Sequence, residues 1–137
     1  MLLDAVVADA NVLLSAAVGK AGRKIFTKSA IRVHITEFNA AEVEEYLPWM
    51  AEKYHLPIDL VRLQWKLLPL IPHANREYEH LLKKAVSDLS HRDPEGAHAL
   101  ALARALRLPL WSNDRHLDKL DIPTFPTANL LRILNIS

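Results

Sequence analysis

The chain has no cysteine and only three glycines among its 137 residues. Without cysteine, neither a disulfide framework nor a thiolate metal site can form, and the cytoplasm is the expected compartment. The glycines do not form a Gly-rich phosphate loop, which argues against a small phosphate-handling α/β domain of that kind. No apolar run approaches the roughly 20 residues that a membrane-spanning helix needs, so we expect no membrane association.

The residues that are present have an ordinary globular composition, with 50% hydrophobic and 24% charged residues. The length suits one domain, and we expect residues 1–137 to form it. The net charge of +1 conceals a basic block around residues 20–28 and an acidic block around residues 37–45. Overall charge therefore does not identify nucleic acid as a partner.

Short apolar strands alternate with helix-length segments along the chain. The predicted strands are Ala5–Ala8, Ile31–Ile35, Leu68–Ile71, Leu110–Trp111 and Ile122–Phe125, and all of them have the apolar character of buried parallel strands. The predicted helices are Asn39–Tyr54 with a break at Pro48, Ile58–Leu67, Asn75–Leu89 and Pro94–Arg107. This alternation predicts a three-layer α/β/α sandwich.

Two of these strands stop at an aspartate. Asp9 follows the first strand, and Asp114 follows the fourth through Ser112 and Asn113. One such aspartate is weak evidence, because Asp also caps the helix that comes next. Two of them place carboxylates on the same rim of a parallel sheet, which is where open α/β sheets bind ligands.

A third acidic side chain belongs to the helix after the second strand. Its apolar positions at helical spacing are predicted to face inward and are Val43, Tyr46, Leu47 and Met50. Glu42 immediately precedes that face, so we expect it to lean over the rim beside Asp9. Glu44 and Glu45 are expected to point to water.

A fourth acidic element leads into the Ala/Leu-rich helix. Asp93 before Pro94 indicates an N-cap and first helical position, and Glu95 in the first turn is favoured by the helix dipole. Gly96 has no such structural explanation, because glycine inside a helix costs about 1 kcal/mol relative to alanine.

Together, these motifs resemble PIN-domain ribonucleases over nearly the whole chain. The matching features are Asp-x-Asn at 9–11, the acidic helix at 37–45, Asp-Pro at 93–94 and Pro-Leu-Trp-Ser-Asn-Asp at 109–114. The resemblance implies a central five-stranded parallel sheet and hydrolysis of RNA phosphodiester bonds with Mg²⁺ or Mn²⁺. It also implies that the chain could be the VapC-like toxin of a toxin-antitoxin pair, with an antitoxin partner and a homodimeric state.

The resemblance also assigns the site residues. Asp9, Glu42 and Asp114 match the family's acids, and Asn11 and Ser112 match supporting polar positions. The family's third aspartate falls at Gly96 in this chain. We favour Glu95 as its substitute, although Asp93 could reach in from the cap, or the acid could simply be lost.

Converging carboxylates need a cation. Two unit charges 4 Å apart repel by about 4 kcal/mol at an effective dielectric of 20, and a divalent ion offsets that repulsion. We expect Asp9 and Asp114 to bind the metal directly, and Glu42 and Glu95 to hold water or a second ion. Arg92 and Arg115 flank the acids and are candidates for phosphate contacts, against the alternative of solvated surface charges.

Further features leave alternatives open. The three tryptophans could stack on bases but are assigned to the core. The helix Ile58–Leu67 either lines a dimer interface or packs over the sheet edge within one subunit. The alternative to a ribonuclease is a degenerate PIN domain that binds nucleic acid or protein without catalysis, as suggested by Gly96.

Overall fold

The computed structural model describes residues 3–89, 96–114, 117 and 120–137. Its centre is a five-stranded parallel sheet with the strand order β3-β2-β1-β4-β5. The strands are β1 Ala5–Ala8, β2 Arg32–Thr36, β3 Leu70–His73, β4 Leu110–Trp111 and β5 Thr124–Phe125. The predicted three-layer α/β/α architecture is confirmed, with β2, β3 and β5 beginning one or two residues later than predicted.

The first strand occupies the middle of the sheet. All four residues of β1 are buried, and the strand pairs with β2 through Val6 and Val33 and with β4 through Val7 and Leu110. The prediction that every strand is buried is wrong for β3, where Ile71 and Pro72 are exposed. As an edge strand, β3 has a neighbour on one side only.

Helices cover both faces of the sheet. They are α1 Ala10–Ala17, α2 Arg23–Lys28, α3 Glu37–Lys53, α4 Ile58–Leu67, α5 Leu82–Asp88, α6 Gly96–Leu106 and α7 Thr127–Ile133. Val6 and Ala8 contribute to the hydrophobic core shared with α1 to α4 and α7. Val7, between them, contributes to a second core shared with α5 and α6. Alternate side chains of one strand therefore build the two layers.

Helix α3 starts earlier than predicted and does not break. It begins at Glu37 because the Thr36 hydroxyl caps it, accepting the backbone N–H of Asn39 at 2.8 Å. It continues through Pro48, whose ring removes the hydrogen bond to the carbonyl of Glu44. Glu44 and Pro48 are both exposed, so this stretch of the helix faces water.

The predicted helix Asn75–Leu89 is only partly helical. Two 3₁₀ turns, Asn75–Glu77 and Glu79–Leu81, precede α5. Tyr78 between them has a φ of −137°, outside the helical region, and its side chain is fully buried in the second core. Burying this aromatic ring interrupts the helix that the local pattern predicts.

The remaining helices agree with the sequence to different degrees. Helix α4 has the predicted bounds and packs on α3 and α1 within the chain through buried Val61 and Trp65. The short helices α2 and α7 were not predicted. Within the described ranges, no helix has the length and apolar character needed to cross a membrane.

Trp111 of β4 anchors the junction of α2 and α7. Its ring is fully buried, lies 5.7 Å from the Phe26 ring centroid and donates its indole N–H to the Thr127 hydroxyl at 2.9 Å. A Cβ added at Gly22 would lie 3.1 Å from Cζ2 of this ring. Because the ring is held on several sides, it has little room to move.

We therefore expect Gly22→Ala to lower the free energy of unfolding by about 1–3 kcal/mol, the usual cost of overpacking a filled core. Urea denaturation of both proteins measures this loss. In a Trp111→Phe background, which lacks the clashing ring atoms, the same Gly22→Ala change should cost less. An equal cost in both backgrounds would contradict the packing explanation.

Candidate active site

Asp9 stands at the carboxyl end of the central strand and bonds in two directions. Its Oδ1 accepts the backbone N–H of Val12 at 3.0 Å, which caps α1. Its Oδ2 accepts a short hydrogen bond from the Ser112 hydroxyl. The residue is only 8% exposed, so its carboxylate is held in one orientation.

Ser112 connects the two aspartates that the sequence singles out. It directly follows β4, is fully buried, and its Oγ accepts the backbone N–H of Asp114 at 3.0 Å. The same hydroxyl donates to Asp9. Asp9 and the start of the Asp114 segment are therefore neighbours at one rim of the sheet, as their strand-end positions predict.

Glu42 lies on α3, and a chain of hydrogen bonds orients its side chain. The Asn39 side-chain amide donates to Glu42 Oε1 at 3.2 Å, and the Thr36 hydroxyl donates to Asn39 Oδ1 at 2.8 Å. Glu42 is half-buried, and together with Asn11 of α1 it lines a cavity of about 240 Å³. Thr36 and Asn39 were not predicted as site residues, although Thr36 ends a strand just before a helix, a position typical of an N-cap.

Four predicted site residues, Asp93, Glu95, Arg92 and Arg115, lie outside the described residues. Gly96 is buried and is the first described residue of α6. Having no side chain, it supplies no acid at the position where the sequence resemblance predicts a third aspartate. A further carboxylate would have to come from another position.

Two predictions about the aromatic residues are wrong. Trp65 and Trp111 are core residues as predicted, but Trp49 is 58% exposed and Tyr46, predicted to face inward, is 41% exposed. Helix α3 buries its own residues Val43, Leu47 and Met50. This buried stripe is too narrow to include the apolar side chains of Tyr46 and Trp49. Glu44 and Glu45 are exposed as predicted.

A second polar cluster lies beside the first turns of α3 and α6. The Tyr78 hydroxyl and His98 Nδ1 are 2.7 Å apart, and the Phe38 ring stacks on His98 with 3.8 Å between centroids. Burial lowers the pKa of His98 and raises the pKa of Tyr78, because both charged forms are poorly solvated there. The sequence carries no signal for this cluster, since its members lie on separate elements.

The donor chemistry at the rim suits a hard divalent cation. Asp9, Glu42 and Asp114 offer carboxylate oxygens, the ligands that Mg²⁺ prefers. Across residues 3–89, 96–114, 117 and 120–137, no three His, Cys, Asp or Glu side chains form a group that could hold a metal. Asp9, Glu42 and Asp114 therefore do not form the expected group of three converging carboxylates, and an ion bound at the rim would need water or substrate for its remaining ligands.

The fold and its rim define a three-layer α/β domain with acidic side chains at the carboxyl edge of a parallel sheet. A family model described as "PIN domain" matches residues 7–134, and the chain belongs to the PIN-domain family. PIN domains are generally nucleases, and the family generally uses divalent metal ions.

Comparison with solved structures supports the same fold. A chain of "Toxin-antitoxin complex from Klebsiella pneumoniae" superposes with a TM-score of 0.66 at 16% sequence identity, covering 89% of this chain and 97% of that one. At this identity the similarity establishes the fold. No match was found among curated proteins.

Replacing Ser112 tests the connection between the two aspartates. Ser112→Ala removes the donor to Asp9 Oδ2 and the acceptor of the Asp114 N–H inside a buried site, and should lower the free energy of unfolding by about 1–3 kcal/mol. Chemical denaturation measures the loss, with Ser87→Ala on the exposed side of α5 as the control. Equal stability of the two variants would show that the connection contributes nothing.

Acidification should destabilise the fold through His98. Because its pKa is lowered in the folded protein, the unfolded chain binds more protons once the pH falls below about 6.5. The free energy of unfolding is therefore expected to fall from pH 7.5 to 5.5, less steeply in His98→Gln than in the wild type. Thermal unfolding at both pH values measures this, and exposed His80→Gln, the control, should keep the wild-type slope. A wild-type slope in His98→Gln would contradict the assignment.

Proposed function

We propose that the chain is a metal-dependent ribonuclease whose site lies at the carboxyl edge of the sheet. The observation that carries this proposal is the Ser112 hydroxyl, which bonds both the Asp9 carboxylate and the Asp114 backbone. Family membership supports nuclease chemistry. RNA as the substrate and Mg²⁺ or Mn²⁺ as the cofactor are our proposals.

In this proposal Asp9 and Asp114 hold the ion, and Glu42 contributes through water. Mg²⁺ commonly binds through one or two protein carboxylates plus substrate phosphate, so the rim does not need a closed group of three. Glu95 is the proposed further acid, supported by Asp93. Arg92 and Arg115 are proposed contacts to the RNA phosphates.

A bound divalent cation would offset negative charge that develops on the phosphate and lower the pKa of water. The chain's own residues supply the positioning. Asp9 is held by the α1 cap and by Ser112, so its orientation is fixed before substrate arrives. Asn11 stands two residues further on as a supporting polar group.

Glu42 is the proposed proton acceptor. Asn39 holds its Oε1, and the group can take the proton from the attacking water. Water oxygen then bonds to phosphorus, the bond from phosphorus to the leaving ribose oxygen breaks, and that oxygen gains a proton from solvent.

The proposed partners follow from the structural neighbour, which is a toxin-antitoxin complex by its title. We propose an antitoxin protein partner and a homodimer for this chain. Growth arrest on expression, relieved by co-expression of a protein encoded beside it, would support the toxin role. Light scattering of the purified chain would decide the oligomeric state, and a monomer would refute the homodimer.

The second candidate is a degenerate PIN domain that binds RNA or a protein without cleaving. Gly96 favours it, because the position that carries an acid in the family has no side chain here. Gly96→Asp discriminates the two candidates. A degenerate domain should gain metal-dependent cleavage from it, whereas a chain that already uses Glu95 should gain little.

Asp9→Asn is expected to abolish cleavage. The purified protein should cut a synthetic RNA with Mn²⁺ or Mg²⁺ and not with EDTA, and Asp9→Asn should reduce the rate at least about 100-fold, since even outer ligand partners change activity by 10- to 100-fold. Mn²⁺ should also raise the melting temperature of the wild type but not of Asp9→Asn.

Asp59→Asn is the matched control, because Asp59 is an exposed acid on α4 and its variant should cleave like the wild type. Cleavage that survives EDTA or the Asp9 change would refute the proposed mechanism. RNA binding without cleavage would favour the degenerate domain.

A further inference from the structure

One exposed face of α3 carries two aromatic rings in line with a site carboxylate. Glu42, Tyr46 and Trp49 follow one another at spacings of four and three residues, which places them on the same side of the helix. Tyr46 is 41% and Trp49 58% exposed. Large aromatic rings turned to solvent beside a predicted reaction centre need an explanation that core packing does not supply.

These rings line the 240 Å³ cavity that also contains Glu42. We call this cavity the Trp49 groove; its lining residues are Asn11, Leu14, Glu42, Tyr46 and Trp49. Glu42 and Asn11 belong both to the groove and to the candidate active site. The groove is therefore continuous with the rim where the phosphate would be cleaved.

Two lysine ammonium groups lie over aromatic rings at the C-terminal end of α3, one of them over Trp49. Lys53 Nζ is 5.0 Å from the Trp49 ring centroid and 5.4 Å from that of Tyr54, and Lys20 Nζ is 4.3 Å from the Tyr54 centroid. Lys53 therefore occupies one face of the Trp49 ring, and a stacking base would displace this ammonium group or use the opposite face.

Acidic side chains lie nearby as well. Glu45 and Glu52 are exposed and lie four residues before and three after Trp49, where helical spacing makes them its neighbours. The surface is therefore of mixed charge, and net attraction for phosphate is weak. Ring stacking has to provide most of the affinity for any occupant.

We propose that the Trp49 groove binds an unpaired base of single-stranded RNA, next to the phosphate that is cleaved. This inference rests on the proposed ribonuclease function and adds a base-binding position, Trp49, beside its site. Trp49 lies seven residues after Glu42, about 10 Å along the helix, so a nucleotide neighbouring the cleaved phosphate can reach it. Bases in a duplex keep their faces stacked on one another, so only an unpaired base can take this place.

Binding of a fluorescein-labelled ten-nucleotide single-stranded RNA in EDTA tests the groove without cleavage. Trp49→Ala should raise the Kd about 5- to 100-fold, the range of losses when a stacking ring is removed. Trp49→Phe retains a ring and should stay within about threefold of the wild type. Ile133→Ala, a similarly exposed residue on α7, should bind like the wild type.

Intrinsic tryptophan fluorescence distinguishes stacking on Trp49 from a general structural effect of the substitution. Trp65 and Trp111 are buried, and Trp49 is the exposed tryptophan. Unlabelled single-stranded RNA should quench the wild-type emission, and quenching should be lost in Trp49→Phe although binding persists. The same sequence as a duplex should leave the emission unchanged at concentrations at which the single strand quenches it.

The outcomes separate this inference from the proposed function. Metal-dependent cleavage that Asp9→Asn abolishes, together with an unchanged Kd in Trp49→Ala, would overturn the groove and leave the nuclease standing. Trp49-dependent binding without any cleavage would support the groove and refute the nuclease. Equal quenching by duplex RNA would also overturn the inference. So would a Trp49→Ala variant whose oligomeric state changes while its Kd for RNA does not, because a second copy of the chain would then cover the rings.

Discussion

The carboxylate of Asp9 is the contact on which the carboxyl edge of the sheet depends. One oxygen caps α1 and the other accepts from Ser112, so a single buried group fixes the first helix and connects β1 with the segment after β4. A buried carboxylate is tolerated only when such partners replace its lost hydration. The hydrogen bonds that compensate for the burial of Asp9 are the same ones that would orient its carboxylate toward a cation.

At Glu42, too, the residues that cap a helix also orient a candidate site residue. Thr36 caps α3 and also holds Asn39, and Asn39 in turn orients Glu42. The helix start and the candidate site are therefore built from one hydrogen-bonded chain. Under the proposed function, these hydrogen bonds would orient Glu42 before substrate binds, so the group would not have to be ordered at that step.

The edge of the sheet also separates two environments. On one side α1 and α3 pack into the first core and leave Tyr46 and Trp49 exposed beside Glu42. On the other side Tyr78 and His98 are bonded to each other above the second core. Under the proposed function, an RNA strand crossing this rim would meet the exposed rings of Tyr46 and Trp49 on the α3 side.

Local patterns in the sequence determined β1, β4, α4, the alternation of strands and helices, and the aspartates that follow the strands. These are properties of short segments, read from apolar periodicity and from the residues at which it stops. The tertiary structure decided that α3 runs through Pro48, that burying Tyr78 interrupts the helix before α5, and that Trp49 is exposed. It also revealed Ser112 as the partner of Asp9 from 103 residues away. Such features depend on which faces meet across the fold, and no local window of sequence contains that information.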